Sequence, residues 1–212
     1  MFIATTDTGA RREPLLGRGI YDVVDLAWLV GRDPATIERW TTGRAPLHRV
    51  GTKPLYAFLD LISLWVISEL DKRRVPKLEI RNGAAYLSRE LGTDYPFAHK
   101  ALATVGSSVF GELGDWVDIG KSGQLAFHDT IKNYLRPVEY GPDELAAVWR
   151  PANGVWVNPK VQVGSPCVDG TRVPTGVLAA LIDEDEDPED VADDYELDVT
   201  QVIAALEFER AA

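Results

Sequence analysis

Apolar residues recur along this chain at helical spacing in several separate stretches. Leu26, Val30, Ile37 and Trp40 fall on facing surfaces of two short segments. Asp22 stands where an N-cap belongs for the first, which runs to Val30 and is stopped by Gly31. Asp33-Pro34, a capping residue followed by proline at the first helical position, opens the second, which extends to about Thr42. The densest stretch is Leu55 to Leu70, where twelve of sixteen positions are apolar and only Asp60, Ser63, Ser68 and Glu69 are not. It predicts a long helix from Pro54 to Arg73. A further helix follows Val75-Pro76 and ends near Gly92, and Pro96 starts a short one to Ala103. The pattern then changes. Short apolar runs at Val109-Phe110, Trp116–Ile119 and Gln124–Phe127, divided by glycine-containing turns, predict a small antiparallel hairpin unit, and a helix from His128 to Leu135 follows. Three more helices close the chain: Pro174 to about Ile182, a segment capped by Asp187-Pro188 to about Tyr195, and one capped by Asp198 with Gln201 completing a capping box.

This pattern predicts a mostly α fold with a small antiparallel β component (α+β), built from an N-terminal helix-turn-helix domain and a C-terminal three-helix, homeodomain-like module. The boundaries it implies are an irregular Gly- and Arg-rich arm over 1–20, the helix-turn-helix domain with its long central helix and hairpin unit over 21–140, a Pro- and Gly-punctuated linker over 141–154, and the small helical module over 155–212.

A helix apolar on nearly every side must be buried on nearly every side. The Leu55–Leu70 helix is therefore either the central helix of its domain or the seam of a homodimer, with Phe58, Ile62 and Trp65 as the expected interface residues. It is shorter than the roughly 20 residues that span a bilayer, and Asp60 interrupts it, so no membrane association is expected. The start, Met1 to Asp7, lacks the basic beginning and apolar core of a signal peptide, and the single cysteine, Cys167, has no internal partner. A cytoplasmic protein is expected.

Charge is unevenly distributed. Residues 1–50 hold seven Arg and six acids (+1), residues 51–140 hold eleven of each (0), and residues 141–212 hold four basic and sixteen acidic residues (−12), which sum to −11. An acidic chain gains little non-specific attraction to nucleic acid. Any DNA contact must come from a local patch, and only the N-terminal third can supply one.

Two short helices joined by a tight glycine turn over Tyr21–Trp40 form a helix-turn-helix. Ala27 is small where the second helix must cross the first, and Gly31 can take the positive φ of the corner. In DNA-binding versions the second helix enters the major groove while flanking Arg and Lys hold phosphates. The expected DNA-binding residues are Arg32, Thr36, Arg39, Thr42, Arg44 and Arg49, with His48 and Lys53 nearby. Glu38 on the second helix counts against the reading, and an αα-hairpin used only for packing is the alternative. The Tyr at the start, Ala in the first helix, Gly in the turn and Thr36-Ile37-Glu38-Arg39-Trp40 resemble the N-terminal helix-turn-helix of MerR-like regulators.

In the C-terminal region, Gly164-Ser165-Pro166 and Asp169-Gly170-Thr171 are turn chemistries, with Val161, Val163, Cys167 and Val173 as short buried strand pieces between and around them. Leu178, Leu181, Ile182, Val191, Ala192, Tyr195, Val202, Ile203 and Leu206 supply a compact helical core. By itself this is a small helical module. Its apolar strand, the series Gly164-x-Pro166-x-x-x-Gly170-Thr171-Arg172 and the Ala-Leu-rich end Val202–Leu206 resemble the domain of unknown function 433 over residues 155–209. Members of that family often act as VapB-type antitoxins, partners of PIN-domain VapC-type toxins. The resemblance implies a cognate PIN-domain toxin as partner, operator DNA as a second one, and Arg172 as a toxin-binding residue able to enter an acidic metal-binding active site. The chain departs from the family at Asp183-Glu184-Asp185-Glu186-Asp187, where a glycine is usual. Such a run reads first as a solvated, helix-capping loop and second as a contact for a basic partner.

No enzyme chemistry is expected. Gly120-Lys121-Ser122 lacks the glycine a P-loop needs five residues before Gly-Lys, where Asp115 stands, and lies between strand-like runs. His48, His99 and His128 share no metal-ligand spacing, no Gly-x-Ser-x-Gly elbow occurs, and Cys167 reads as a buried structural thiol. No catalytic residue, metal or cofactor is assigned. The alternatives to an antitoxin are a ligand-responsive helix-turn-helix transcription regulator and an interaction module that does not bind DNA.

Overall fold

A computed structural model describes residues 18–42, 46–48, 55–104 and 137–211. The helix signals translate directly into structure at the start. Helix α1 (Val23–Val30) begins where Asp22 Oδ1 accepts from the amides of Val24 (2.7 Å) and Asp25 (2.8 Å), while Asp25 Oδ2 accepts from the Asp22 amide (2.9 Å). These are reciprocal bonds that satisfy helix-end donors otherwise left orphaned. Gly31 stops α1 with φ +66°, a value that only glycine takes without strain. Helix α2 (Pro34–Thr41) starts at its proline, with the Thr36 amide donating to Asp33 Oδ1 at 2.8 Å.

Helix α3 (Phe58–Lys72) begins four residues later than Pro54. Residues 55–57 are occupied otherwise: Tyr56 pairs backbone to backbone with Tyr21, each amide donating to the other's carbonyl. Asp60 then reaches back to the Ala57 amide at 2.7 Å, supplying the cap that Ala57 lacks. Helix α4 (Lys77–Leu91) follows Pro76 and ends at Gly92. A 3-10 turn at Pro96–Ala98 leads into the five-residue α5 (Lys100–Thr104).

A four-stranded antiparallel sheet follows in simple chain order: β1 (Val138–Tyr140), β2 (Ala146–Ala152), β3 (Val155–Val157) and β4 (Pro166–Val168). The α+β class is therefore correct. The 141–154 stretch, expected as a linker, contains β2. Pro151, which disguises this strand in the sequence, sits where the β2–β3 register shifts between Trp149 and Ala152, a place that tolerates a missing donor. The hairpin runs at 109–127, Gly120-Lys121-Ser122, the helix at 128–135 and residues 1–17 of the arm lie outside the described residues. The tail folds as α6 (Thr175–Asp183), α7 (Pro188–Asp194) and α8 (Val199–Ala211), close to the predicted bounds.

Two apolar clusters meet at the sheet. The larger joins α1–α4 to Val138, Ala146, Trp149 and Val157, so β1–β3 are a wall of the helical core. The smaller gathers Val168 with Leu178, Val191, Ala192, Val202 and Ala205 of α6–α8. At the seam, Trp65 of α3 meets Trp149 of β2 with ring centroids 5.2 Å apart. This decides between the two readings of α3. Phe58 is 1% exposed and Ile62 0% exposed within a single protomer, and Trp65 is packed against the chain's own sheet. Side chains with no area left to bury cannot drive dimerisation, so α3 is the central helix and the assignment of Phe58 and Ile62 to a dimer seam is corrected, while the partly buried Trp65 spends its ring face on the chain's own sheet. No helix among the described residues is long and apolar enough to cross a membrane.

Candidate functional site

The helix-turn-helix core is as the sequence implies: Leu26, Ala27, Val30, Ile37 and Trp40 are all buried. The expected DNA-binding residues divide into four groups. Arg39 and Thr42 are exposed, Arg39 on the outer face of α2 and Thr42 at its end, beside Ala35 and Glu38. The Thr42 hydroxyl donates to the Glu38 carbonyl at 2.6 Å, which turns its polar atom back toward its own helix. Thr36 is buried and internally engaged. Its hydroxyl donates to Asp33 Oδ2 at 2.8 Å and accepts from Arg39 Nη2 at 2.7 Å. The side-chain and backbone bonds from Thr36 hold the Asp33 carboxyl below the usual carboxylate range, so the cap stays ionised. Arg44 and Arg49, with the neighbouring Lys53, lie outside the described residues.

Arg32 does something else. Its Nε donates to Ser68 Oγ at 2.9 Å, its Nη2 donates to the Ser68 carbonyl at 3.1 Å and pairs with Asp71 at 3.1 Å, and its guanidinium lies 5.6 Å from the Trp40 ring centroid. With the side chain only 23% exposed and its Nε and Nη2 bonded to Ser68 and Asp71, Arg32 fastens the helix-turn-helix corner to α3. Its assignment to DNA is corrected to a structural one. Arg32→Ala is expected to lower unfolding free energy by about 2 kcal/mol, as for loss of charge-assisted hydrogen bonds. Arg39→Ala is expected to stay within about 0.5 kcal/mol of the parent, as for an exposed position. Denaturant titration of the two variants reads the difference, and equal costs would contradict this division.

A second buried pair holds the segment after α2. Leu47 and His48 amides donate to the Trp40 carbonyl, and His48 Nε2 lies 2.6 Å from Asp60 Oδ1, both side chains being buried. Asp60 thus serves α3 as a cap and this segment as an anchor. The sequence showed Asp60 only as a break in an apolar run.

In the C-terminal module the turn signature is largely a frame. The Thr171 hydroxyl donates to the Val168 carbonyl (2.9 Å) and accepts from the Val173 amide (3.1 Å), and the Trp156 indole donates to the Thr171 carbonyl (3.1 Å). Arg150 of β2 joins Asp169 at 2.9 Å to Glu139 of β1. Arg172, between these fixed points, has an exposed side chain, while its carbonyl accepts from Gln162 Nε2 at 3.0 Å. Gly164 has φ +91°, and a Cβ built there would lie 2.4 Å from the Tyr21 hydroxyl oxygen. That hydroxyl donates to the Gly164 carbonyl at 2.8 Å, and the Ile20 amide donates to the Val163 carbonyl at 3.0 Å. Burial, and then the charge of Asp25, raise the Tyr21 phenol well above its ordinary pKa, so it remains a donor. Sequence reasoning missed Tyr21 and Gly164 as partners. Each was visible as a motif residue, but nothing linked two positions so far apart.

Residues 155–208 match the model of a family described as protein of unknown function (DUF433). The match covers the segment that carries the signature turn, the exposed Arg172 and α6–α8. Among curated proteins the chain is similar to "Uncharacterized protein Rv2308" of Mycobacterium tuberculosis, 25% identical over 92% of this chain and 91% of that protein. It is also similar to "Putative antitoxin VapB45" of the same organism, 26% identical over 76% of this chain and 74% of that protein. The crystal structure of Rv2018 from Mycobacterium tuberculosis shares the fold, with a TM-score of 0.74 at 22% identity, covering 92% of this chain and 98% of that one.

Within the DUF433 segment the acidic run is exposed and structural. Asp187 Oδ1 accepts from the Glu189 amide at 3.0 Å to cap α7, and Asp183 pairs with Arg210 at 2.8 Å. Cys167 is buried in β4, its thiol donates to the Ser165 carbonyl, and burial pushes its pKa up to about 11. At pH 8 about one thiol in a thousand is then thiolate. Iodoacetamide is therefore expected to leave the folded protein unlabelled at pH 8, with labelling rising only toward pH 11 or on unfolding. Mass spectrometry of alkylated samples checks this, and rapid labelling of the native chain at pH 8 would contradict it.

Proposed function

We propose that this chain is the antitoxin of a type II toxin–antitoxin pair. Its C-terminal module binds and neutralises a PIN-domain ribonuclease toxin, and its helix-turn-helix, MerR-like in pattern, binds the promoter of its own operon. The observation that carries the reading is the likeness to a protein named as an antitoxin over three quarters of the chain, extending well beyond the DUF433 segment. Arg172 is the residue assigned to the toxin. It is the exposed cation of a turn whose every neighbour is fixed, and a guanidinium matches carboxylate geometry in a metal-binding site. Arg39, at the outer face of α2, is assigned to DNA, with Arg44 and Arg49 beside it in sequence. Because paired half-sites need paired recognition helices, the DNA-bound form is a homodimer. Its contact surface is one other than α3.

The test is co-expression with the product of the adjacent gene, followed by pull-down and a growth assay. A stable complex that relieves toxicity is expected; absence of both complex and rescue would sink the antitoxin reading. For DNA, Arg39→Ala is expected to weaken binding to the duplex upstream of the reading frame and to lower the salt-dependence slope by about one. An unchanged slope would remove Arg39 from the interface.

One observation favours a second reading. The exposed surface of the recognition helix carries Asp33 and Glu38 beside Arg39, and Arg32 is engaged with α3. A helix-turn-helix of that charge suits protein contact. The chain would then be an interaction module, and it would fail to bind its upstream duplex at any salt concentration.

A further inference from the structure

The turn Gln162–Gly164 places three successive residues at positive φ: Gln162 at +44°, Val163 at +57° and Gly164 at +91°. Only the last is glycine. A β-branched residue in this region is strained, and Val163 is half exposed at 50%, so burial of its side chain does not offset the strain. Hydrogen bonds hold the turn from two sides. On one side the Gln162 side chain donates to the Arg172 carbonyl at 3.0 Å. On the other, Val163 O accepts from the Ile20 amide at 3.0 Å and Gly164 O accepts from the Tyr21 hydroxyl at 2.8 Å.

Position gives these bonds their consequence. Ile20 and Tyr21 immediately precede Asp22, the N-cap of α1. The Tyr21 backbone is tied to Tyr56 and its hydroxyl to Gly164, so the entry of the chain into the helix-turn-helix is fixed at both ends of one side chain. The C-terminal module also touches α1 directly, where Trp28 meets Phe208 of α8 edge to face at 5.2 Å. At Gly164 no larger residue fits, since its Cβ would displace the tyrosine hydroxyl.

We propose that the left-handed turn Gln162–Gly164 is a strut by which the C-terminal module orients the helix-turn-helix, with Tyr21 and Gly164 as positioning residues, and that it transmits what engages Arg172 to the DNA-binding end. The second clause rests on the assignments of Arg172 and the helix-turn-helix made above. The strut itself does not. A partner that displaces the Arg172 backbone breaks the bond from Gln162 that holds the turn on that side, and so bears on the bonds to Ile20 and Tyr21 on the other.

Hydrogen exchange of the full chain tests this with Tyr21→Phe, Gly164→Ala and Gln162→Ala. Tyr21→Phe and Gly164→Ala are expected to speed exchange across Val24–Trp40 by about fivefold, the equivalent of one net hydrogen bond, with α6–α8 unchanged. Gln162→Ala is expected to do the same although its side chain bonds only within the C-terminal module, a result that a merely local role would not produce. Binding to the duplex upstream of the reading frame should weaken in parallel. Parental exchange across α1 and α2 in both Tyr21→Phe and Gln162→Ala overturns the proposal, and parental exchange in Gln162→Ala alone overturns the transmission. Should Gly164→Ala exchange everywhere, it has unfolded and the other two variants decide. If the parent chain binds no duplex while exchange responds as expected, the DNA reading fails and the strut stands.

Discussion

Arg172→Glu is expected to weaken the complex with the proposed toxin by about a hundredfold or more, in the range measured when one member of a desolvated charge pair is lost across an interface. The structure makes this a clean experiment. The Arg172 side chain is exposed, and the neighbouring turn is held by Thr171, Trp156 and Gln162 through bonds that do not use the guanidinium. The melting temperature should therefore stay at the parental value while affinity in calorimetry or surface binding collapses. Charge reversal is preferred to alanine because it places a carboxylate against the carboxylates of the proposed target. Retained affinity and rescue in the variant would remove Arg172 from the contact without touching the antitoxin reading itself. A collapse of stability would instead show that the side chain belongs to the frame.

The largest stability effect is expected at Trp149. Its side chain is 2% exposed and sits between the sheet and α3, against Trp65. Trp149→Ala should cost about 3–5 kcal/mol, from lost transfer free energy and the cavity left behind. That is a large share of the 5–15 kcal/mol typical of a whole domain. Trp149→Phe should cost much less, because among the described residues the buried Trp149 indole nitrogen has no hydrogen-bond partner to lose. Denaturant unfolding reads both. If Trp149→Ala cost under about 1 kcal/mol, within the range of a surface substitution, the sheet would not be a wall of the helical core.

The contrast between these two residues shows what the sequence could reveal. Local rules found the helix starts at Asp22, Asp33 and Asp187 and the stop at Gly31, because a cap and its helix lie within one turn of each other. They failed at β2, where Pro151 and the surrounding glycines mimic a linker and only the partner strands reveal the ladder. They failed at Arg32 for a related reason. An arginine next to a helix-turn-helix corner suits phosphate as well as it suits Asp71, and the choice depends on α3 lying within reach. The assignment of Phe58 and Ile62 failed because an all-round apolar helix states that it is covered but does not name what covers it. In this chain the cover is its own sheet and helices.

The hydrogen bond from Tyr21 to Gly164 spans 143 positions of the chain. Its strands, by contrast, pair only with their sequence neighbours. Synthesis runs from the N-terminus, so the helix-turn-helix is made long before the turn that bonds to Tyr21. The sheet and the closing helices, made of near contacts, can collapse as soon as they emerge. A chain interrupted before residue 162 contains α1 and α2 in full without the turn that bonds to Tyr21 at their entry.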